Sequence, residues 1–142
     1  RRFILTPDQS ELWVSCELSS EIFIIDTATN EIKGESLIYV PDGFREEDVT
    51  PVGMAVTRDG SKVLISLGRA NHVVIVDARS HDVLSYVLVG RRAWSVDLSS
   101  DETKAYVANG LSDDITVIDM ASMKATVSVP VGRVPHSVVI DD

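Results

Sequence analysis

The chain holds 142 residues, 44% hydrophobic and 25% charged, with a formal net charge of −9, which suits one soluble domain with a real core. That acidic balance excludes nucleic-acid binding as a leading class, because phosphate contacts need a basic surface that releases counterions. A single cysteine, Cys16, rules out an intrachain disulfide, and no run approaches the ~20 apolar residues of a membrane-spanning helix.

The apolar and β-branched runs, punctuated by Gly, Asp, Asn and Ser, predict strands throughout. The first unit offers strands over 3–6, 12–16, 21–26 and 32–39. Cys16 closes the second of these, beside Val14 and Ser15, and reads as a small core residue. An acidic stretch over 40–50, with Asp42, Glu46, Glu47 and Asp48, follows as an inserted loop, either decoration or a contact surface. The second unit has strands over 54–57, 62–67, 72–77 and 83–89. Its first turn, Arg58-Asp59-Gly60-Ser61, carries an Asp-Gly hairpin signal. The third unit matches it position for position over 96–99, 104–109, 114–119 and 125–131. The chain then ends on 136–142, an isolated first strand with no successors.

The units repeat. Asp8, Asp59 and Asp101 each precede a second aspartate, Asp26, Asp77 and Asp119, by 18 residues, and the last two units are 42 residues apart. A period of that size, with four short strands per unit, predicts an all-β chain built as a β-propeller, each unit one blade. We expect a partial propeller over 1–142, with blades over 1–40, 51–90 and 93–132, the loop 40–50 inserted, and a closing strand over 136–142. The opening Arg1-Arg2-Phe3 shows neither initiator Met nor signal peptide, and three units fall short of a closed ring. The chain therefore reads as part of a longer propeller, or as a half-ring completed by self-association.

Within a blade the strands are a, b, c and d. Turns a–b and c–d share one face of the ring, and connections b–c and d–a share the other. The first kind is tight and repetitive. Recurring Asp26, Asp77 and Asp119 are expected to accept backbone N–H groups there, a structural task. The second kind carries the variable chemistry: Arg69, Asn71 and His72 in one b–c loop, Leu111, Ser112, Asp113 and Asp114 in the next, Arg91, Arg92 and Arg133 in the d–a connections, and the acidic loop over 42–48. Val52, Trp94 and His136 lie 42 residues apart in the channel-lining strand, so they are expected at one channel mouth. Arginines with an adjacent aromatic suit an anionic ligand or an acidic segment of a partner; the competing reading is solvated arginines and a core-capping Trp94. The histidines His72, His81 and His136 make no zinc pattern, and the pair Asp113-Asp114 alone is a weak calcium signal. No Gly-x-Ser-x-Gly, phosphate loop or haem-attachment motif occurs, so neither a catalytic residue, a metal nor a cofactor is expected.

These units resemble the YVTN-type propeller repeat, in Pro51…Asp59-Gly60…Val74-Ile75-Val76-Asp77 and in Tyr106-Val107-Ala108-Asn109…Val117-Ile118-Asp119. Three stretches further resemble the propeller family associated with pyrroloquinoline-quinone-dependent alcohol catabolism: Glu11-Leu12-Trp13-Val14-Ser15, the segment from Gly68 to Ala78, and the segment from Asn109 to Asp114. The long loop after the first unit and the ending from Val131 to His136 fit too, although His136 stands where relatives carry an aromatic. The resemblance implies an exported, periplasmic or extracellular, non-enzymatic accessory protein. Its implied partner is a quinoprotein dehydrogenase or a c-type cytochrome. The alternatives are an envelope structural repeat protein and, third, a lactonase-like or quinoprotein-like enzyme.

Overall fold

The computed structural model describes residues 2–141. It contains three four-stranded antiparallel sheets and a single 3-10 turn, Glu46–Asp48. Blade 1 comprises β1 (Arg2–Leu5), β2 (Glu11–Cys16), β3 (Glu21–Asp26) and β4 (Glu31–Ile32). Blade 2 comprises β5 (Pro51–Val56), β6 (Lys62–Leu67), β7 (His72–Asp77) and β8 (Val83–Leu88). Blade 3 comprises β9 (Ala93–Leu98), β10 (Lys104–Asn109), β11 (Asp114–Asp119) and β12 (Lys124–Pro130). In each the order is a-b-c-d. The central pairs share one register, with Glu11 opposite Asp26, Lys62 opposite Asp77 and Lys104 opposite Asp119. Together these make a partial β-propeller.

The turns explain why the sequence folds this way. Asp8, Asp59 and Asp101 each accept the hydroxyl of the Thr or Ser two residues earlier and the N–H and hydroxyl two residues later. Asp26 and Asp77 each accept two backbone N–H groups in the c–d turn, and Asp119 accepts the N–H and hydroxyl of Ser122. The recurring aspartates are thus turn-closing acceptors, as the repeat implied. Left-handed backbone recurs as well. Ser20, Asn71 and Asp113 close the b–c loops at φ of 62°, 56° and 58°. Thr50, Arg92 and Val134 close the d–a connections at 50°, 63° and 54°.

Two hydrophobic seams join the blades. Trp13, Ile22 and Ile24 of blade 1 pack with Val63, Ile65, Leu67, Val74 and Val76 of blade 2. Leu64, Val73, Ile75 and Val87 pack with Ala105, Val107 and Ile118 of blade 3. Blade 2 is covered on both faces, so β6 and β7 are apolar and buried almost throughout.

Three expectations need correction. Strand a starts three residues earlier than predicted, at Pro51 and Ala93. Gly53 lies within the strand: a Cβ there would fall 2.7 Å from the Trp94 carbonyl oxygen and 2.8 Å from the Ser95 Cα, so the glycine permits two inner strands to approach. Strand d of blade 1 is broken: only Glu31–Ile32 pairs, and after a loop around Gly34 (φ 67°) a lone bridge joins Leu37 to Ile22. The closing strand over 136–142 forms no ladder in its described residues; Asp142 lies outside them. The segment leans on β9 instead. Ile140 N–H donates to Asp97 Oδ2 at 2.9 Å, and Val138 N–H donates to Ser95 Oγ at 3.4 Å. Among the described residues no strand pairs with it.

Candidate functional site

The expected site residues fall into two engaged pairs, a separate His72, and three exposed arginines. Arg92 sits at a left-handed position, where its N–H donates to Asn71 Oδ1 at 2.9 Å. Its guanidinium reaches across the ring face to Glu17 Oε1 of the blade 1 b–c loop at 3.3 Å. The pair is largely shielded, with 23% and 11% side-chain exposure. Arg92 is therefore committed to structure, and Glu17 was not visible as its partner across 75 residues of sequence.

Trp94 and His136 do meet, as their 42-residue spacing implied: the ring centroids are 5.2 Å apart and tilted by 52°. Trp94 also lies on Gly110, where a Cβ would fall 2.6 Å from the six-membered ring. The indole is thus seated on the backbone of its own blade and flanked by imidazole. Its Nε1 is buried without an acceptor. Val52 occupies the same place in blade 2, buried and close to Gly68.

His72 belongs to a different environment. Its Nδ1 lies 2.6 Å from the Ala70 carbonyl oxygen, and its ring meets Phe44 edge-on at 5.7 Å. Phe44 comes from the inserted loop, which is not mere decoration: Val49 is fully buried and Tyr39 nearly so. Tyr39 donates its hydroxyl to the His81 carbonyl oxygen at 3.1 Å, and burial raises its phenol pKa. The exposed part of the loop pairs Arg45 internally with Glu47 and Asp48, both at 3.0 Å.

Arg69, Arg91 and Arg133 are exposed and form no ion pair among the described residues. Each lies on the b–c/d–a face. Among the described residues, the buried side-chain polar atoms that lack a partner lie on this same face: Ser20 Oγ, Trp94 Nε1 and Asn109 Oδ1. The Ser20 case has a geometric reason. Asn71 and Asp113 hold the N–H of Arg92 and Val134, each 21 residues on. In blade 1 the shorter serine and the nine-residue insertion break that link.

Sequence reading placed Ser112 and Asp114 in a variable b–c loop but missed the polar cluster they form with Asn109 and Thr116 in blade 3. Asn109 Nδ2 donates to Asp114 Oδ1 at 2.8 Å and to Thr116 Oγ1 at 2.9 Å, and Ser112 donates to Asp114 Oδ1 at 2.8 Å. The 42-residue offset could have revealed it, because the counterparts are Leu67, His72, Val74 and Ala70. The clefts of the molecule lie elsewhere. Two open grooves of about 320 and 430 Å³ run between adjacent blades on the opposite face, along the turn aspartates Asp8, Asp59 and Asp119. These grooves are the regular gaps between neighbouring turns, whereas the unpaired arginines and unpartnered buried atoms lie together on the other face. Among the described residues no three His, Cys, Asp or Glu side chains converge as for a metal, and no helix is long and apolar enough to cross a membrane.

No family model matches the chain, and no curated protein does. Solved structures match well. Hydrazine synthase of Kuenenia stuttgartiensis has a TM-score of 0.80 at 24% identity, over 94% of this chain and 36% of that one. The periplasmic gluconolactonase PpgL of Pseudomonas aeruginosa has 0.78 at 22%, over 96% and 40%. The WD40 repeats of RRP9 have 0.71 at 16%, over 92% and 38%. At these identities the likeness shows the fold, and the chain spans only about two fifths of each neighbour. The expectation of a non-enzymatic chain is corrected by these neighbours. Two of them are named as enzymes, so the absence of a familiar catalytic motif in this sequence is no ground for calling the chain non-enzymatic.

Proposed function

We propose that the chain supplies three blades of an exported β-propeller whose b–c/d–a face binds an acidic segment of a protein partner. The observation carrying this reading is the set of exposed, unpaired arginines Arg69, Arg91 and Arg133 on one face of a chain of net charge −9. Unpaired cations on an acidic protein select an anionic partner and steer its approach. The loop resemblances favour a partner from quinoprotein-linked alcohol oxidation, a dehydrogenase or c-type cytochrome. The periplasmic location of one structural neighbour supports export.

The test is titration of a quinoprotein alcohol dehydrogenase and its cytochrome against wild type and an Arg91→Glu/Arg133→Glu variant at two ionic strengths. Weaker binding by the variant, and by wild type at high salt, supports the reading. Equal affinities throughout sink it. A lactonase-like reading is favoured by the gluconolactonase neighbour. Faster acid release from gluconolactone in a pH-stat, retained in the arginine variant, would favour it over docking.

A further inference from the structure

Arg92 ties together the b–c loops of all three blades. Its guanidinium reaches Glu17 Oε1 of blade 1 at 3.3 Å, and its N–H donates to Asn71 Oδ1 of blade 2 at 2.9 Å. Its carbonyl oxygen accepts the Gly110 N–H of blade 3 at 3.0 Å. The preceding residue, Arg91, accepts the Leu111 N–H on its own carbonyl oxygen at 2.9 Å. The three loop tips are therefore held around one residue and present a common surface.

Leu18, Arg69 and Leu111 occupy the same place in these loops, each two residues past the end of strand b. Leu18 is 93% exposed and Leu111 57% exposed. Arg69 is exposed and forms no ion pair among the described residues. The turn itself does not require leucine. All three loops close through a left-handed residue, Ser20, Asn71 or Asp113, and blade 2 does so with arginine in the leucine position. One exposed leucine is ordinary. Two at equivalent positions, flanking an unpaired arginine on a hydrogen-bonded platform, alternate apolar, basic and apolar, with Arg91 beside the second leucine.

We propose that Leu18 and Leu111 are apolar anchors of the docking face, so that the partner's segment carries large apolar side chains on both sides of its acidic residues. This rests on the docking reading above: the arginines select the acid, and the leucines add burial that salt does not screen. A bilayer fits the same face poorly. Asp42, Glu46 and Glu47 of the inserted loop are exposed there, and a flat anionic membrane would press them against its own phosphates. A chain segment can follow the loop tips and avoid them.

The test uses two fluorescent peptides, one a run of glutamates with leucines at both ends, the other with serine in place of each leucine. Wild type should bind the leucine peptide about ten-fold tighter by anisotropy and keep that advantage at high salt. Leu18→Ser/Leu111→Ser should reduce the leucine peptide to the serine peptide's affinity with an unchanged melting temperature, because both side chains are exposed. Leu84→Ser, an exposed leucine of β8 near the c–d turn, should change nothing. Equal affinity of wild type for the two peptides, both weakened by Arg69→Glu/Arg91→Glu, overturns the anchors while docking by charge stands. Absence of binding to either peptide also overturns them and leaves docking to the dehydrogenase titration. Co-sedimentation with phosphatidylserine vesicles that the double leucine variant abolishes would make a membrane the occupant and overturn the proposal too.

Discussion

The two blade seams solve the same packing problem in opposite ways. Between blades 1 and 2 the connection is nine residues longer, and it spends that length on Tyr39, Phe44 and Val49, which pack against an apolar socket. Between blades 2 and 3 the connection is four residues of tight turn, and a polar socket of Asn109, Ser112, Asp114 and Thr116 receives it: the Thr116 hydroxyl accepts the Gly90 N–H and the Ser112 hydroxyl the Arg91 N–H. Blade 2 faces both. Loop length and socket polarity therefore change together: a long connection carries its own apolar side chains, whereas a short one presents bare backbone N–H groups that need acceptors. Gaps in the repeat are thus better read as substitutions in a seam than as loose insertions.

Breaking the apolar seam should cost most. Trp13 is fully buried and donates its Nε1–H to Glu11 Oε2 at 3.1 Å. Trp13→Ala should cost about 3–5 kcal/mol, the usual range for a large buried aromatic, read as a lower urea midpoint. The polar seam should cost less to break. Gly90→Ala forces a methyl against three polar side-chain atoms and should cost about 1–3 kcal/mol. An Asn109→Leu/Thr116→Val double variant makes the socket apolar while the connection stays short. It removes the acceptor of the Gly90 N–H and should cost about 1–3 kcal/mol. If that double variant were as stable as wild type, the coupling of connection to socket would be wrong.

Most of the blade pattern could be read from sequence because strands b and c are short apolar runs bounded by turn residues and the turns carry their own aspartates. The predicted 62–67, 72–77, 104–109 and 114–119 coincide with β6, β7, β10 and β11. Strands a and d were harder. Pro51 and Gly53 look like punctuation, and only the close approach of the Trp94 backbone explains the glycine. The site was partly visible: the Trp94–His136 contact follows from repeat spacing alone. Glu17 did not, because an ion pair across two blades leaves no local trace. The polar socket hid in single substitutions, Leu67 against Asn109 and Val74 against Thr116, that pattern reading takes for noise.

The turns shared by both seams set an acid limit that neither seam controls. Asp59 is lowered from its ordinary 3.8 to about 2, chiefly by the Thr57 hydroxyl, and Asp101 to about 2, chiefly by the Thr103 N–H. A carboxylate with a depressed folded pKa contributes stability that is fully present above its unfolded value. That contribution is lost as pH falls through the folded one. Stability should therefore drop between about pH 4 and pH 2. Thr57→Val removes the leading donor to Asp59, so it should reduce that slope in acid melts while leaving the neutral-pH fold in place. An unchanged slope would show that these turns do not govern the acid limit.

The smallest effect belongs to the ion pair that straddles both seams. Arg92 leaves the second connection and meets Glu17 of blade 1, bridging the face of blade 2. Its partial burial places it above a fully exposed pair, but its 3.3 Å contact is a single-nitrogen one. Arg92→Ala should therefore cost about 0.2–1 kcal/mol at low salt and less as salt rises. Arg133→Ala, exposed and unpaired, is the reference and should be neutral within about 0.5 kcal/mol. The difference between the two, measured in urea at two ionic strengths, isolates the bridge. If Arg92→Ala matched Arg133→Ala at both, the bridge would contribute nothing, and the two seams would be coupled only through the sheet of blade 2 itself.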